Sequence, residues 1–208
     1  MIDTLNKIGL KYNTDKAFLH NFCNFYEQNL NKNVYKLWEI GVLDGASLQM
    51  WSEYYPNAEI TGFDIEDKSS LKLCNNVNVK LLDQGNKEQL ERLANENKDI
   101  DIIIDDGSHI INHQIMTFEL LFNSLKSGGQ YIIEDLHTST DLHAKGNYNY
   151  KNKKGTLQYL LDISMAIIPK DYPGQIKTQT IISNIADIKI FTNIRTNGRS
   201  ITSIITKK

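Results

Sequence analysis

Two short stretches carry more reactive chemistry than a folded core needs: "DIIIDDGSHIINHQ" from Asp101 to Gln114 and "YIIEDLHTS" from Tyr131 to Ser139. Each contains an apolar run that breaks off at paired acids, with His109 and His137 close behind. Acids also close three earlier apolar runs: Glu39 in "YKLWEIGV", Asp64 in "EITGFDI" and Asp83 just past "VNVKLL". Any one of them would serve to brace a turn or cap a helix. Gathered on one edge they repel one another unless a cation, hydrogen-bond donors or raised pKa values compensate them.

The runs at 35–42, 59–65, 77–82, 99–105 and 129–135 have the length and apolar content of strands. Between them "SLQMWSEYY", "KEQLERLANE" and "HQIMTFELLFNSL" follow a helical period, and Gly, Pro or Asn punctuates most of their ends. Strands alternating with helices predict a parallel sheet covered on both faces, and continuous runs such as "III" fit burial on both sides. Ligands of such sheets bind beyond the carboxyl ends of the strands, where these acids lie.

The 208 residues, 40% of them hydrophobic, suffice for one core. The expected organisation is a single domain, with a helical lid over 1–34, a core over 35–139, a substrate loop and helix over 140–175 and C-terminal strands over 176–208. The Asn-Gly pair in "TNGR" predicts a hairpin between the last two strands, and Trp38 and Trp51 fall at core positions. Cys23 and Cys74, read near a helix and a helix end, have no CxxC partner and suit a reducing compartment. A net charge of −2, with lysines only in short groups (Lys151, Lys153, Lys154; Lys207, Lys208), argues against a nucleic-acid partner. The first residues lack an apolar signal core, and no later run approaches the ~18 apolar residues of a membrane span. The expectation is a cytoplasmic protein with no membrane partner.

After the first strand, "WEIGVLDGAS" supplies Gly41 and Gly45. A dinucleotide site requires G-x-G-x-x-G, with backbone free to approach a pyrophosphate. Here the spacing is G-x-x-x-G, and Asp44 stands where that anion would come. The same acids would welcome a cofactor with a positive centre, an amino group and a free ribose diol, a description that S-adenosylmethionine meets. Asp64, about twenty residues past the glycine turn, would take the ribose hydroxyls. Asp83 would take the adenine amino group, and Glu39 or the Gly41 backbone the amino-acid end.

In order, "EIGVLDGAS", "GFDIE", "LLDQGN", "IIIDDGSH" and "SGGQYIIEDLHTS" resemble the class I S-adenosylmethionine-dependent methyltransferases. More narrowly, the chain is similar to the metal-dependent sugar O-methyltransferases of macrolide tailoring, the macrocin and mycinamicin type. The amino-terminal "KYNTDKAFLHNFCNFYE" resembles that family's "KYGTDK…H.Y…Y" pattern.

The resemblance implies a Rossmann-like, doubly wound, mostly parallel seven-stranded α/β sheet with a C-terminal antiparallel hairpin. It implies cofactor contacts from Thr14, Glu39, Gly41, Gly45, Asp64, Asp83 and Asp105. It also implies a Mg²⁺ ion held by Asp106, Glu134 and Asp135, with His109 as general base. From their own chemistry, His137 beside the acids and Tyr148 in the 140–155 loop, whose aromatic face can stack on a sugar, are expected toward a small-molecule sugar or glycoside acceptor. The chemistry is coherent, because a hard cation takes oxygen ligands and acidifies a hydroxyl. A histidine with a pKa near its usual value of about 6.5 can then remove the proton.

Departures from the pattern are Asn13 for Gly, Phe22 for Tyr and "HTSTD" for "HTSYW". Other readings of the same residues are Asp105, Asp106 and Gly107 as a turn with Ser108 as a helix cap, and zinc held by His109 and His113. A metal-dependent hydrolase or hydroxylase and a non-catalytic cofactor-binding module are the rival functions. The apolar segment "TLQYLLDISMAII", expected as a helix stopped by Pro169, would serve as a homo-oligomer interface or as the floor of the acceptor pocket.

Overall fold

Apolar runs become strands here because both of their faces find a core. The computed structural model describes residues 4–140, 154–176, 178–195 and 198–208. The strands are β1 (Lys36–Ile40), β2 (Glu59–Asp64), β3 (Val77–Leu81), β4 (Ile100–Asp105), β5 (Leu125–Ile133), β6 (Ile185–Arg195) and β7 (Gly198–Lys207). They form one sheet in the order β3-β2-β1-β4-β5-β7-β6. The first five are parallel, and β7 pairs antiparallel with both β5 and β6. This is the doubly wound, Rossmann-like sheet expected, closed by the predicted hairpin.

The helices are α1 (Leu5–Lys11), α2 (Asp15–Phe18), α3 (Cys23–Asn29), α4 (Ala46–Tyr54), α5 (Lys87–Glu96), α6 (Ile111–Leu121), α7 (Thr156–Ser164) and α8 (Thr178–Ile182). Alternate residues of the central strands feed two cores. Ile102, Ile104 and Ile132 pack with Leu5, Tyr26, Leu48 and Trp51 from α1, α3 and α4. Trp38, Ile103 and Tyr131 pack with Leu90, Phe118 and Leu160 from α5, α6 and α7. Trp38 and Trp51 are therefore core residues, as expected. On the second face Glu119 of α6, fully buried, accepts hydrogen bonds from the Tyr159 hydroxyl at 2.7 Å, the Thr178 hydroxyl and the Ile176 amide. It ties α6 to α7 and α8.

Several expectations shift. The amino-terminal region, expected only as helical, consists of three short helices, because Asn13 (φ 54°) and Asn21 (φ 55°) turn left-handed between them, a conformation Asn tolerates. The segment 178–182, read among the C-terminal strands for its Thr/Ile content, is α8; its buried Thr178 and Ile181 override strand propensity. Helix α7 stops at Ser164, before Pro169, and Ala166 (φ 57°) turns the chain. Cys23 opens α3, and Cys74 lies in the loop before β3 rather than at a helix end; both are free thiols. No described helix is long and apolar enough to cross a membrane.

Beside β1 the strand order reverses, and β1 and β4 pair directly, Ile40 opposite Asp105. Their carboxyl ends are held close by Gly41 (φ 92°), where an added Cβ would lie 2.0 Å from the Asp106 carbonyl oxygen. Gly41→Ala is accordingly expected to lower the unfolding free energy by about 2–4 kcal/mol, as strain and overpacking combine. Urea denaturation measures this, and a loss no greater than that of a surface substitution would contradict the close approach.

Candidate active site

Beyond the carboxyl ends of β1, β2 and β4 lies a cavity of about 830 Å³. The glycine turn after β1, the loops after β2, β3 and β4, Asp135 and the α2 strip containing Thr14, Phe18 and Leu19 line it. Each loop is fixed by a carboxylate folded onto backbone. Asp64 Oδ2 accepts from the amides of Val42 (2.9 Å) and Leu43 (3.3 Å), and its Oδ1 from Glu66 (2.9 Å). Asp44 Oδ1 accepts from the Ala46 amide at the start of α4 (3.0 Å), and Asp83 Oδ1 from Gly85 (2.8 Å). Two exposed apolar side chains, Leu43 and Ile65, stand at the mouth.

The next loop is clasped by Gln84, which sequence reasoning passed over. Its amide nitrogen donates to Asp105 Oδ1 (2.7 Å), and its carbonyl oxygen accepts from Ser108 N (3.0 Å). Asp105 is wholly buried, and burial pushes its carboxyl up to about 7 against the pull of Gln84. It braces the turn and does not line the cavity. Ser108 falls two residues short of the helix cap expected of it: Ile110 occupies that position, and the Ser108 hydroxyl meets Ile110 N (3.3 Å) and His113 Nδ1 (2.9 Å).

The acids beside this turn split into two groups. Asp106, His109 and Asp135 each offer a ligand atom, all within 4.8 Å of one another, and all three line the cavity. Asp135 lies among three histidines: His109 Nε2 is 3.7 Å from its Oδ2, and His20 Nδ1 and His137 Nδ1 are each 3.6 Å from its Oδ1. Both His109 (φ 57°) and Asp135 (φ 54°) hold left-handed backbone, a strain that non-glycine residues concentrate at functional positions. Glu134 belongs to the second group. It is 1% exposed and reaches the fully buried ammonium of Lys16 at 3.2 Å. Lys16 also pairs with Glu39 at 3.2 Å and with Asp106.

Burial pulls the Lys16 ammonium down, but Asp106, Glu134 and Glu39 outweigh it and hold its pKa well above the usual lysine range. Burial drives Glu39 up to about 7 and Glu134 well above the usual carboxylate range, with Lys16 opposing both. Among the buried oxygens that make no well-formed hydrogen bond are both of Glu39, whose nearest donors are Lys16 and Ser47, Oε1 of Glu134 and Oδ1 of Asp135.

Of the cofactor residues expected from sequence, Thr14, Gly41, Asp64 and Asp83 line the cavity. Glu39 and Asp105 lie beneath it, and Gly45 (φ 81°) shapes the start of α4 from outside it. His113 is not part of the metal-capable group, which weighs against the zinc reading. His137 stands beside Asp135. Tyr148 and most of the expected substrate loop, 141–153, lie outside the described residues. Lys16 and His20 gave no local signal, since a lysine in a short polar helix reads as solvated surface. The signal available was indirect: so many converging acids require a nearby cation.

No protein-family model matches the chain. It is 35% identical over 167 residues to the 8-demethyl-8-alpha-L-rhamnosyl tetracenomycin-C 2'-O-methyltransferase of Streptomyces olivaceus, covering 74% of this chain and 44% of that protein. It is 36% identical over 149 residues to the mycinamicin VI 2''-O-methyltransferase of Micromonospora griseorubida, covering 65% and 36%. The chain thus spans less than half the length of these curated relatives. The solved structure of the MycE methyltransferase of the mycinamycin biosynthetic pathway, in complex with Mg and SAH, superposes with a TM-score of 0.76 at 29% identity. It covers 100% of this chain and 55% of that one. Fold and sequence likeness agree, and the chain belongs to the class I S-adenosylmethionine-dependent methyltransferases, among the sugar O-methyltransferases of the macrocin and mycinamicin type.

Proposed function

We propose that this domain transfers a methyl group from S-adenosylmethionine to a hydroxyl of a sugar or glycosylated metabolite, with Mg²⁺ at the reacting hydroxyl. The observation that carries the reading is the grouping of Asp106, His109 and Asp135 on the wall of the cavity. The donor set fits a hard cation: carboxylate oxygens, one buried Asp135 oxygen without a hydrogen-bond donor, and no cysteine. Asp106 and Asp135 would hold the ion, with Glu134 adjoining as the third acid.

The cavity fits the methyl donor. Asp64 and Asp83 retain lone pairs for ribose and adenine donors, exposed Leu43 and Ile65 offer apolar cover for a purine, and backbone at Gly41 meets the amino-acid end. When bound, Mg²⁺ supplies a positive centre that acidifies and orients a hydroxyl, and S-adenosylmethionine supplies the methyl group. His109 takes the hydroxyl proton, and at Nε2 that proton faces Asp135 Oδ2. The left-handed turns at His109 and Asp135 aim both side chains at one point, so the chain's main contribution is alignment. His20 and His137 flank Asp135 at its Oδ1, each Nδ1 3.6 Å away, while His109 faces Oδ2.

Two substitutions separate these roles. Asp135→Asn is expected to weaken Mg²⁺ binding by at least the roughly 10–100-fold that loss of even an outer-shell partner costs. Calorimetric titration reads this, and unchanged affinity would remove Asp135 from the centre. His109→Ala is expected to lower kcat for methylation of a glycoside acceptor by about 10²–10⁴-fold while S-adenosylhomocysteine binding stays unchanged. Full turnover in this variant, or turnover unaffected by a chelator, would contradict the assignment.

A further inference from the structure

The buried ammonium of Lys16 has no part in the proton transfer, yet it sits wholly enclosed among the acids of the site. Lys16 is 0% exposed, and its Nζ reaches Glu39 from β1, Asp106 from the loop after β4, and Glu134 from the loop after β5. Three carboxylates thus face one ammonium. Lys16 and Ser47 are the donors nearest Glu39, and neither Glu39 oxygen nor Oε1 of Glu134 makes a well-formed hydrogen bond. Buried carboxylates in such company are stable only with positive charge beside them, and removing one partner of a buried pair leaves an uncompensated charge. Lys16 is also the second residue of α2, whose neighbours Thr14, Phe18 and Leu19 line the cavity.

We propose that Lys16 is a positioning residue: a resident counter-cation that holds Asp106 and Glu134 together before the divalent ion arrives and pins α2 over the cavity. It acts through these acids and touches no reacting atom. The proposal rests on the metal reading above in one respect: Mg²⁺ and Lys16 then share the work of neutralising the same carboxylates. A lysine that merely filled space would be replaced by Met at small cost, and metal would not alter that cost.

The test is thermal unfolding of wild type, Lys16→Met and the double variant Lys16→Met/Glu39→Gln, each in chelator and in excess Mg²⁺. In chelator, Lys16→Met is expected to lose roughly 6–20 °C in Tm, the scale of an unpaired buried charge in a domain of this size. The double variant, with one acid neutralised at nearly constant shape, recovers part of that loss. Excess Mg²⁺ raises the Tm of Lys16→Met more than that of wild type. If Lys16→Met does not fold in chelator, folding of the double variant, or of the single variant in Mg²⁺, carries the same conclusion.

A loss that neither Glu39→Gln nor Mg²⁺ reduces would overturn the proposal, as would no loss at all. Recovery by Glu39→Gln with no response of any variant to Mg²⁺ would sustain the charge-compensating role and sink the metal reading instead.

Discussion

Parallel strands that end together bring their terminal side chains together, and here those side chains are acids. The repulsion among Glu39, Asp106, Glu134 and Asp135 is the constraint around which the site is arranged. Three responses are visible. An ammonium from the amino-terminal region, Lys16, lies among three of the acids. Gln84 and loop amides satisfy Asp105 and Asp64. Burial drives Glu39 and Asp105 up to about 7, so part of the charge is relinquished. At the opposite end of β4, Asp101 is also buried, but it accepts from the amides of Tyr35 (2.9 Å) and Lys36 (2.8 Å) and pairs with Lys126.

This arrangement ties the amino-terminal helices to the chemistry. Lys16 enters from α2, His20 approaches Asp135 from the turn that follows, and the ring of His20 stacks on Phe22 at 5.1 Å. His20 Nδ1 also meets the Ser200 hydroxyl of β7 at 2.8 Å, and Tyr26 meets the Thr202 hydroxyl at 2.9 Å. The antiparallel hairpin therefore supports the same region from behind. Elements that look peripheral in chain order converge on Asp135 and its neighbours.

Much of this was legible in the sequence for physical reasons. Strands buried on both faces announce themselves as continuous apolar runs, and "III" in β4 did so. Acids at strand ends pointed to the edge that bears the cavity, and "DDGSH" with "IIED" marked the loops that carry Asp106, His109 and Asp135. What the sequence hid depends on three-dimensional approach. The buried state of Lys16 is created by partners 23, 90 and 118 residues away in the chain, and Gln84 becomes a clasp only when the loops after β3 and β4 meet. Segment 178–182 misled for a different reason: Thr and Ile favour strands in isolation, whereas burial of Thr178 against Glu119 sets it as a helix.

The central claim is that the carboxyl edge of this sheet holds a divalent cation between Asp106 and Asp135. A crystal structure of the chain grown with Mn²⁺ in place of Mg²⁺, phased to reveal anomalous scattering from the metal, tests it most directly. The account predicts one strong anomalous peak within coordination distance of carboxylate oxygens from both residues, about 2.0–2.2 Å for a small hard cation. A strong peak elsewhere on the protein, or none at this edge with Mn²⁺ in excess, would contradict it.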